Sequence, residues 1–402
     1  MPNNTTNGNT MTNLKQISNE VNFYANKVKS CFIGLDAIVD LMLVGLIIEK
    51  NVALIGPPGE GKTAIIETFS KGLDMKSWAI QVNQETTQDE LIGHFSLKEM
   101  EQNDELVRKT AGKLGDCELA YIDEFANASG GTMNGLLKAI NEKEIDKGNG
   151  AIEKIPLQMA IGSTNFNISH EEKLIAFWDR WGLRAILPPA LENAPVDDIK
   201  RFIRGVTGPK RTIGKMDSSI KLNRQVIEAL RGLRSQVRIS AEIETRICEL
   251  VKFLNVRKSI ISVRRLEWIC YALQACALLG GRMEVIPEDL SICNYMAWTH
   301  PEDIQPLKIK VSDLSMSANG ELKKALKVIR KRIKDAKIAN EEGYQERNPD
   351  KRRTLQAKFD DISDQIDSTI AEALKMEIPD NDNARNIIED IKNLKNWKAE
   401  VS

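Results

Sequence analysis

One segment of the chain combines glycine, lysine and threonine in the pattern G-x-x-x-x-G-K-T, as GPPGEGKT over Gly56–Thr63. An apolar run ends directly before it, and residues with helical spacing follow it. In such a segment the glycines let backbone N–H groups face a phosphate, the lysine reaches the β- and γ-phosphates, and the hydroxyl binds Mg²⁺. A glycine-rich turn is the simpler alternative, but the flanking strand and helix argue against it. The pattern predicts a phosphate-binding loop made of Gly56, Pro57, Pro58, Gly59, Glu60, Gly61, Lys62, Thr63 and Ala64.

Two adjacent carboxylates follow a second apolar run, LAYIDEF over Leu119–Phe125. Taken alone, Asp123 and Glu124 are more typical of a solvent-exposed strand end. Next to a phosphate loop they have the chemistry that nucleotide hydrolysis requires. We therefore expect Asp123 to bind Mg²⁺ together with Thr63, and Glu124 to orient or deprotonate the attacking water.

Four further polar residues are candidates for contacts with the transferred phosphate. Asn165 ends the apolar run AIGSTN, and a plain strand-capping asparagine is an equally simple interpretation. Arg180 lies among bulky apolar residues in FWDRWGLR, where a rigidly held guanidinium stabilises charge on a phosphoryl group, including that of a neighbouring subunit. Arg264 and Arg265 open an apolar helix, where a guanidinium could close over the phosphates, although the composition alone is more typical of a solvated helix start.

Short apolar runs separated by helical patterns predict a parallel sheet with crossover helices in the first half of the chain. The expected strands are Val52–Ile55, Ser77–Val82, Glu118–Ile122, Gln158–Ser163 and Arg184–Leu187. A polar β-hairpin is expected over Glu142–Pro156, because Lys147-Gly148-Asn149-Gly150 separates two segments compatible with strands.

Periodicity changes after Pro189, where segments with helical spacing replace the strand pattern. We expect a disordered N-terminus over residues 1–20, an α/β domain over 21–190, an all-helical domain over 191–308, a polar linker over 309–320 and a helical domain over 321–402. Three amphipathic segments in the last of these predict a three-helix bundle, with docking onto another protein as an alternative.

Composition excludes several other classes of protein. The 402 residues contain 56 Lys and Arg and 57 Asp and Glu, a net charge of -1, which does not favour a dedicated nucleic-acid binder. Six scattered cysteines without a C-x-x-C pair and three distant histidines predict a reducing compartment and no zinc site. The sequence shows neither a signal peptide nor an apolar stretch of bilayer length, so we expect a cytoplasmic protein with no membrane insertion.

Taken together, these segments resemble the MoxR family of AAA+ ATPases, and within it the RavA branch. The resemblance covers Val28–Pro306 and includes YIDEFANASGGTMNGLLKAINEKEI, GNGAIEKIP, GSTN, FWDRWGLR, ISVRRLEW and QACALLGGR. It implies an α/β fold, a P-loop αβα core with sheet order 5-1-4-3-2, an insertion at about Thr86–Glu99 after the second strand, a hairpin before the fourth, and a helical lid.

The resemblance also implies a role for each candidate residue. Lys62 and Thr63 correspond to Walker A, Asp123 and Glu124 to Walker B, and Asn165 to sensor 1. Arg180 corresponds to the arginine finger, with Arg184 as a competitor, and Arg264 to sensor 2, with Arg265 as a competitor. The cofactors implied are ATP and Mg²⁺.

MoxR-type proteins resemble ring-forming, often hexameric, chaperone-like ATPases that act on protein substrates with a von Willebrand A domain partner. In one respect the sequence differs from RavA: no strand-rich stretch follows Pro306. The alternatives are a McrB-like GTP-using motor on nucleic acid and a scaffold whose nucleotide only controls assembly. The basic segment Lys323–Lys337 alternates with apolar residues, which is more typical of a solvated helix face than of a nucleic-acid site.

Overall fold

The computed structural model describes residues 5–148, 150–165, 180–187, 195–208, 214, 216–259, 261–316, 318–346, 348–375, 382–394 and 397–398. The chain divides into two compact units, Met1–Val311 and Ser312–Ser402. Among the described residues, no helix is both long enough and apolar enough to cross a membrane.

A five-stranded parallel sheet forms the centre of the first unit. Its strands, with two short strands of a hairpin counted in chain order, are β1 (Val52–Ile55), β2 (Ser77–Gln81), β3 (Leu119–Asp123), β6 (Met159–Thr164) and β7 (Leu183–Ile186). The order β2-β3-β6-β1-β7 is the expected 5-1-4-3-2 arrangement read from the other edge. All five strands lie within one residue of their predicted bounds at each end.

The burial of each strand matches its position in the sheet. All four residues of β1 and all six of β6 are buried, as expected for central strands of a sheet with helices on both faces. The edge strand β2 instead alternates exposed and half-buried residues. Helices α2 (Asp36–Ile48), α3 (Lys62–Lys71) and α6 (Gly130–Glu142) belong to the same unit and contact the core strands or hairpin.

Close packing around β6 requires a glycine. A Cβ on Gly162 would lie 2.5 Å from the Trp181 ring and 2.6 Å from the Phe125 ring, closer than any real contact. The two rings pack against each other with centroids 4.7 Å apart. The strand that ends in Asn165 is therefore held by aromatic packing against its own backbone.

The predicted insertion and hairpin are both present and are connected to each other. The insertion contains α4 (Gln88–Ile92) and α5 (Leu97–Asn103), and the hairpin pairs β4 (Glu144–Asp146) with β5 (Ile152–Lys154). Arg108 joins them. Its guanidinium pairs with Asp89 of α4, while its backbone N–H donates to Lys147 O at 2.9 Å and its Nε donates to Asp146 O at 3.2 Å.

The helical part of the first unit confirms the predicted change of periodicity. It contains α7 (Val196–Thr207), α8 (Arg224–Arg234), α9 (Ala241–Val256), α10 (Val263–Leu279) and a 3₁₀ segment at Pro287–Tyr295. Serine side chains cap two of these helices: Ser240 Oγ accepts from Ile243 N–H, and Ser262 Oγ accepts from Arg265 N–H.

The expectation of a disordered N-terminus was wrong for residues 5–20, because α1 spans Thr5–Ser30, and residues 1–4 lie outside the described residues. Its buried residues Leu14, Val21 and Val28 recur at helical spacing among polar neighbours. Ser18 Oγ donates to Leu279 O at 2.6 Å and Asn22 Nδ2 donates to the same oxygen at 2.9 Å, which satisfies a carbonyl at the end of α10.

The predicted linker over residues 309–320 is also largely helical. Helix α11 covers Ile304–Leu314 and α12 covers Ala318–Gln345. Leu307, Val311 and Leu314 are buried and lie on one face of α11, so the polar residues that suggested a linker occupy its other face.

The second unit contains the three predicted amphipathic helices, α12, α13 (Pro349–Ala373) and α14 (Asp382–Asn393). They share one apolar core that includes Leu322, Leu326, Ile329, Ile366, Ile370, Ile391 and Trp397. Trp397 Nε1 donates to the Asp367 carboxylate at 3.1 Å, so the buried indole is also hydrogen-bonded.

Replacing Leu14 with alanine should destabilise the first unit by about 2–5 kcal/mol, because a fully buried leucine leaves a cavity. Leu97→Ala is the matched control, since Leu97 is 71% exposed. Urea unfolding followed by tryptophan fluorescence measures both variants. Equal unfolding free energies for the two would show that α1 does not pack as described.

Candidate nucleotide-binding site

The loop from Gly56 to Gly61 connects β1 to α3 at the edge where the parallel strands end. Gly59 and Gly61 have φ values of 87° and 78°, a backbone region that side chains disfavour. Gly61 is the N-cap of α3 and has no side chain to cap the helix. The first-turn N–H groups of α3 therefore face the loop, where a phosphate is a suitable acceptor.

Lys62 is buried, with 7% of the residue exposed, and its ammonium lies inside this loop. Its Nζ donates to Gly56 O at 2.6 Å, to Pro57 O at 2.8 Å and to Asn165 Oδ1 at 2.6 Å. Burial lowers the pKa of Lys62 below its usual value, while the carboxylate of Glu124 opposes this shift. A cation is thus held at the centre of the predicted phosphate cradle.

Asn165 connects Lys62 to the second carboxylate of the site. Its Oδ1 accepts from Lys62 and its Nδ2 donates to Glu124 Oε1. The bridge is possible because β6 lies between β1 and β3, the strands that precede Lys62 and Glu124. Glu124 has φ 54°, a left-handed conformation that is uncommon for a residue with a side chain and is often found at functional sites.

Hydroxyl groups join the two residues predicted to bind Mg²⁺. Thr63 Oγ1 lies 3.1 Å from Tyr121 Oη, which lies 3.0 Å from Ser163 Oγ. Ser163 Oγ in turn donates to Asp123 Oδ1. Burial raises the pKa of Tyr121 to about 12, so its hydroxyl stays protonated near neutral pH.

This set of groups suits Mg²⁺, which prefers oxygen ligands and is usually held by one or two protein oxygens together with phosphates and water. Thr63 and Asp123 supply such oxygens on adjacent elements. Among the described residues, no three His, Cys, Asp or Glu side chains cluster closely enough to hold a metal by themselves.

Arg180 and Arg264 lie toward the opposite edge of the sheet, where the strands begin. Arg180 precedes Leu183, and Leu183 pairs with Val52 at the first position of β1. Arg265, which follows Arg264, donates to Trp181 O and Gly182 O, so the start of α10 lies beside the start of β7. The length of β1, about 13 Å for four residues, therefore separates both arginines from the phosphate loop of the same chain.

Arg184 and Arg265, the alternative candidates for the arginine-finger and sensor 2 roles, are buried and make structural contacts. Arg184 is 2% exposed, stacks 4.6 Å from the Trp298 ring centroid and donates to Trp298 O. Arg265 is also 2% exposed and donates to Trp181 O at 3.1 Å and to Gly182 O at 3.2 Å. Both guanidinium groups tie the start of β7 to the helical part of the first unit.

A cavity of about 570 Å³ adjoins the phosphate loop. Leu35 reaches the loop, because a Cβ on Gly61 would lie 3.8 Å from its Cδ1, and Leu187 packs against Gly56. The walls of the cavity include the side chains of Leu35, Ile38, Ile186, Leu187, Asn294, Trp298, Gln305 and Lys308. Sequence reasoning missed this cavity, because its residues come from segments far apart in the chain.

Comparisons with known proteins agree with this geometry. A model of the MoxR domain in MoxR-vWA-beta-propeller ternary systems matches residues 19–221, and a model of an AAA lid domain matches residues 242–311. An uncharacterized protein of Methanocaldococcus jannaschii is 30% identical over 76% of this chain and 75% of its own length. The chaperone MoxR1 of Mycobacterium tuberculosis is 28% identical over 36% of this chain and 37% of its own.

The fold is also found in a solved structure. The crystal structure of a candidate ATPase from Cytophaga hutchinsonii matches with a TM-score of 0.59 and 17% sequence identity, and it covers 76% of this chain and 97% of that protein. At this level of identity the match supports the fold alone.

Arg265→Ala should lower the free energy of unfolding by about 3 kcal/mol, because buried carbonyl groups lose a charged donor. Arg264→Ala, one residue away and exposed, should leave it nearly unchanged. Urea denaturation of the two variants beside the parent protein measures the difference. If Arg264→Ala were the more destabilising change, the structural role given to Arg265 would be wrong.

Proposed function

Because the chain belongs to the MoxR family of AAA+ ATPases, we propose that it hydrolyses ATP with Mg²⁺ in a ring of copies and thereby remodels or matures a complex of other proteins. The observation that carries the proposal is the hydrogen-bonded set of Lys62, Asn165 and Glu124 at one edge of the sheet. An ammonium, an amide and a carboxylate are joined in one network, which supports their roles as phosphate-binding cation, sensor and base.

The phosphate loop would hold the triphosphate, and the cavity beside it would hold the base and ribose. Lys62 lies where it can neutralise phosphate charge, and the N–H groups of the loop and of the first turn of α3 supply further donors. Apolar walls with a few polar groups are typical of small-molecule sites. The residues assigned to this role are Gly56, Pro57, Pro58, Gly59, Glu60, Gly61, Lys62, Thr63 and Ala64.

Mg²⁺ would be held by Thr63 and Asp123 together with the phosphates, and when bound it neutralises negative charge on them. Glu124 is half-buried and accepts a hydrogen bond from Asn165, so its carboxylate is restrained beside the loop. In this position it can orient a water molecule and accept its proton. Asn165 acts as the sensor, since it contacts both Lys62 and Glu124.

Arg180 and Arg264 would act on the nucleotide of a neighbouring protomer. The strand register supports this, because both arginines lie toward the edge opposite the phosphate loop of their own chain. A guanidinium supplied in trans stabilises charge on the transferring phosphoryl group. The burial of Arg184 and Arg265 leaves Arg180 and Arg264 as the better candidates for this role. A closed ring, which we propose to be hexameric, repeats the same interface at every site.

The partner proposed is a protein with a von Willebrand A domain, because the matching family model describes MoxR domains in systems with vWA and beta-propeller components.

The subfamily proposed is the RavA branch, and this assignment rests on the sequence segments FWDRWGLR, ISVRRLEW and QACALLGGR. The helices of the second unit contain none of the proposed catalytic residues, and we assign them to contact with a partner or substrate protein.

The match to a MoxR model favours this function over a GTP-using motor on nucleic acid. The intact carboxylate of Glu124 argues against a scaffold that only binds nucleotide. On α12, Lys324 pairs with Asp313 at 2.8 Å and Arg330 pairs with Asp390 at 3.0 Å, as expected for a solvated helix face.

Lys62→Ala should abolish ATP binding, because the loop loses its buried cation, whereas Glu124→Gln should keep binding and lose turnover. Titration with a fluorescent ATP analogue and a phosphate-release assay measure the two properties. Lys71→Ala is the control, since Lys71 lies on the surface of the same helix and pairs with Glu67. An equal loss of affinity in the Lys62 and Glu124 variants would refute their separate roles.

A further inference from the structure

A line of hydroxyl groups crosses three elements beneath the site. It starts at Thr63 on α3, passes through Tyr121 on β3 and Ser163 on β6, and ends at Asp123. Asp123 and Ser163 are direct cross-strand neighbours, and Tyr121 lies on the same face of β3 as Asp123. The arrangement follows from the strand register.

The donor and acceptor of each hydrogen bond in this line can be assigned by starting from Asp123. An ionised carboxylate only accepts hydrogen bonds, so Ser163 must donate its proton to Asp123. Because each hydroxyl has a single proton, Ser163 accepts from Tyr121 at 3.0 Å, and Tyr121 accepts from Thr63 at 3.1 Å. The Thr63 proton therefore points toward Tyr121, which leaves lone pairs of its oxygen for another partner.

We propose that Tyr121 and Ser163 are positioning residues that orient the two Mg²⁺ ligands, Thr63 and Asp123, relative to each other. This inference rests on the proposed ATPase function and deepens it. We call the hydrogen-bonded line Thr63–Tyr121–Ser163–Asp123 the relay. The relay fixes which lone pairs of Thr63 are available to the metal and restrains the Asp123 carboxylate. Tyr121 and Ser163 act through these two ligands, without contacting the nucleotide themselves.

Burial makes the relay rigid. Ser163 is fully buried and Tyr121 is 7% exposed, so water cannot readily replace a missing hydroxyl. A phenylalanine at position 121 would fill nearly the same volume and satisfy the apolar character of β3. The tyrosine hydroxyl is therefore explained by its two hydrogen bonds.

The test uses Tyr121→Phe and Ser163→Ala, each combined with Glu124→Gln so that bound ATP is not consumed. Tyr24→Phe in the same background is the matched control, because Tyr24 is buried and its hydroxyl donates to Phe69 O at the other end of α3. Binding of a fluorescent ATP analogue is titrated against free Mg²⁺, against free Ca²⁺ and in EDTA.

Both relay variants should raise the half-saturating Mg²⁺ concentration about fivefold, the effect of one buried hydrogen bond. The value for Ca²⁺ should change less, because Ca²⁺ tolerates irregular geometry and Mg²⁺ does not. Binding in EDTA should equal that of the parent. When Tyr121→Phe and Ser163→Ala are combined in the same background, the half-saturating Mg²⁺ concentration should be at most about twice that of either relay variant, since both changes break the same chain of hydrogen bonds.

A Mg²⁺ requirement that is unchanged in both relay variants, or shifted equally by Tyr24→Phe, would overturn the inference. So would an equal loss of affinity for Mg²⁺ and Ca²⁺, which indicates general damage to the site. If the Glu124→Gln parent itself fails to bind the ATP analogue, the proposed ATPase function fails, and the relay fails with it.

Discussion

The parallel pairing of β6 between β1 and β3 is the constraint on which the whole site depends. In a parallel sheet all strands end at the same edge, so the residues after these three strands meet there. Lys62, Glu124 and Asn165 come from distant parts of the sequence and are joined by hydrogen bonds for this reason. Gly162 secures the middle strand, because only a glycine allows the Trp181 ring to pack directly against it.

The same register separates the residues proposed to act in catalysis into two groups. The residues proposed to hold phosphate lie where the strands end, and Arg180 lies where they begin. Neighbouring arginines in the sequence therefore have different roles. Arg184 and Arg265 are buried and tie β7 to the helical part of the unit, whereas Arg180 is half-buried and Arg264 is exposed. In the proposed ring, a site divided in this way would be completed by a second copy of the chain.

Much of the fold could be predicted from local pattern, because the central strands are continuous apolar runs and the phosphate loop has a specific motif. Other features depend on contacts between distant segments. The helix α1 was missed because its Asn- and Thr-rich start hides a narrow apolar stripe that includes Leu14 and Val21. Arg184 and Arg180 have similar apolar neighbours in sequence, so only burial distinguishes them. The relay through Tyr121 and Ser163 could not be predicted from the sequence, because each residue alone is typical of a strand and the contact between them forms only in the folded sheet.

The most direct test of the account is to mix Arg180→Ala subunits, which keep Glu124, with Glu124→Gln subunits, which keep Arg180, and to measure ATP hydrolysis. Each variant alone should be inactive. If equal amounts of the two subunits mix at random in a ring, about a quarter of the interfaces pair an intact carboxylate with an intact arginine, and activity should return in that proportion. Mixed rings that are seen by light scattering and native mass spectrometry but remain inactive would contradict the assignment of Arg180 to the neighbouring site.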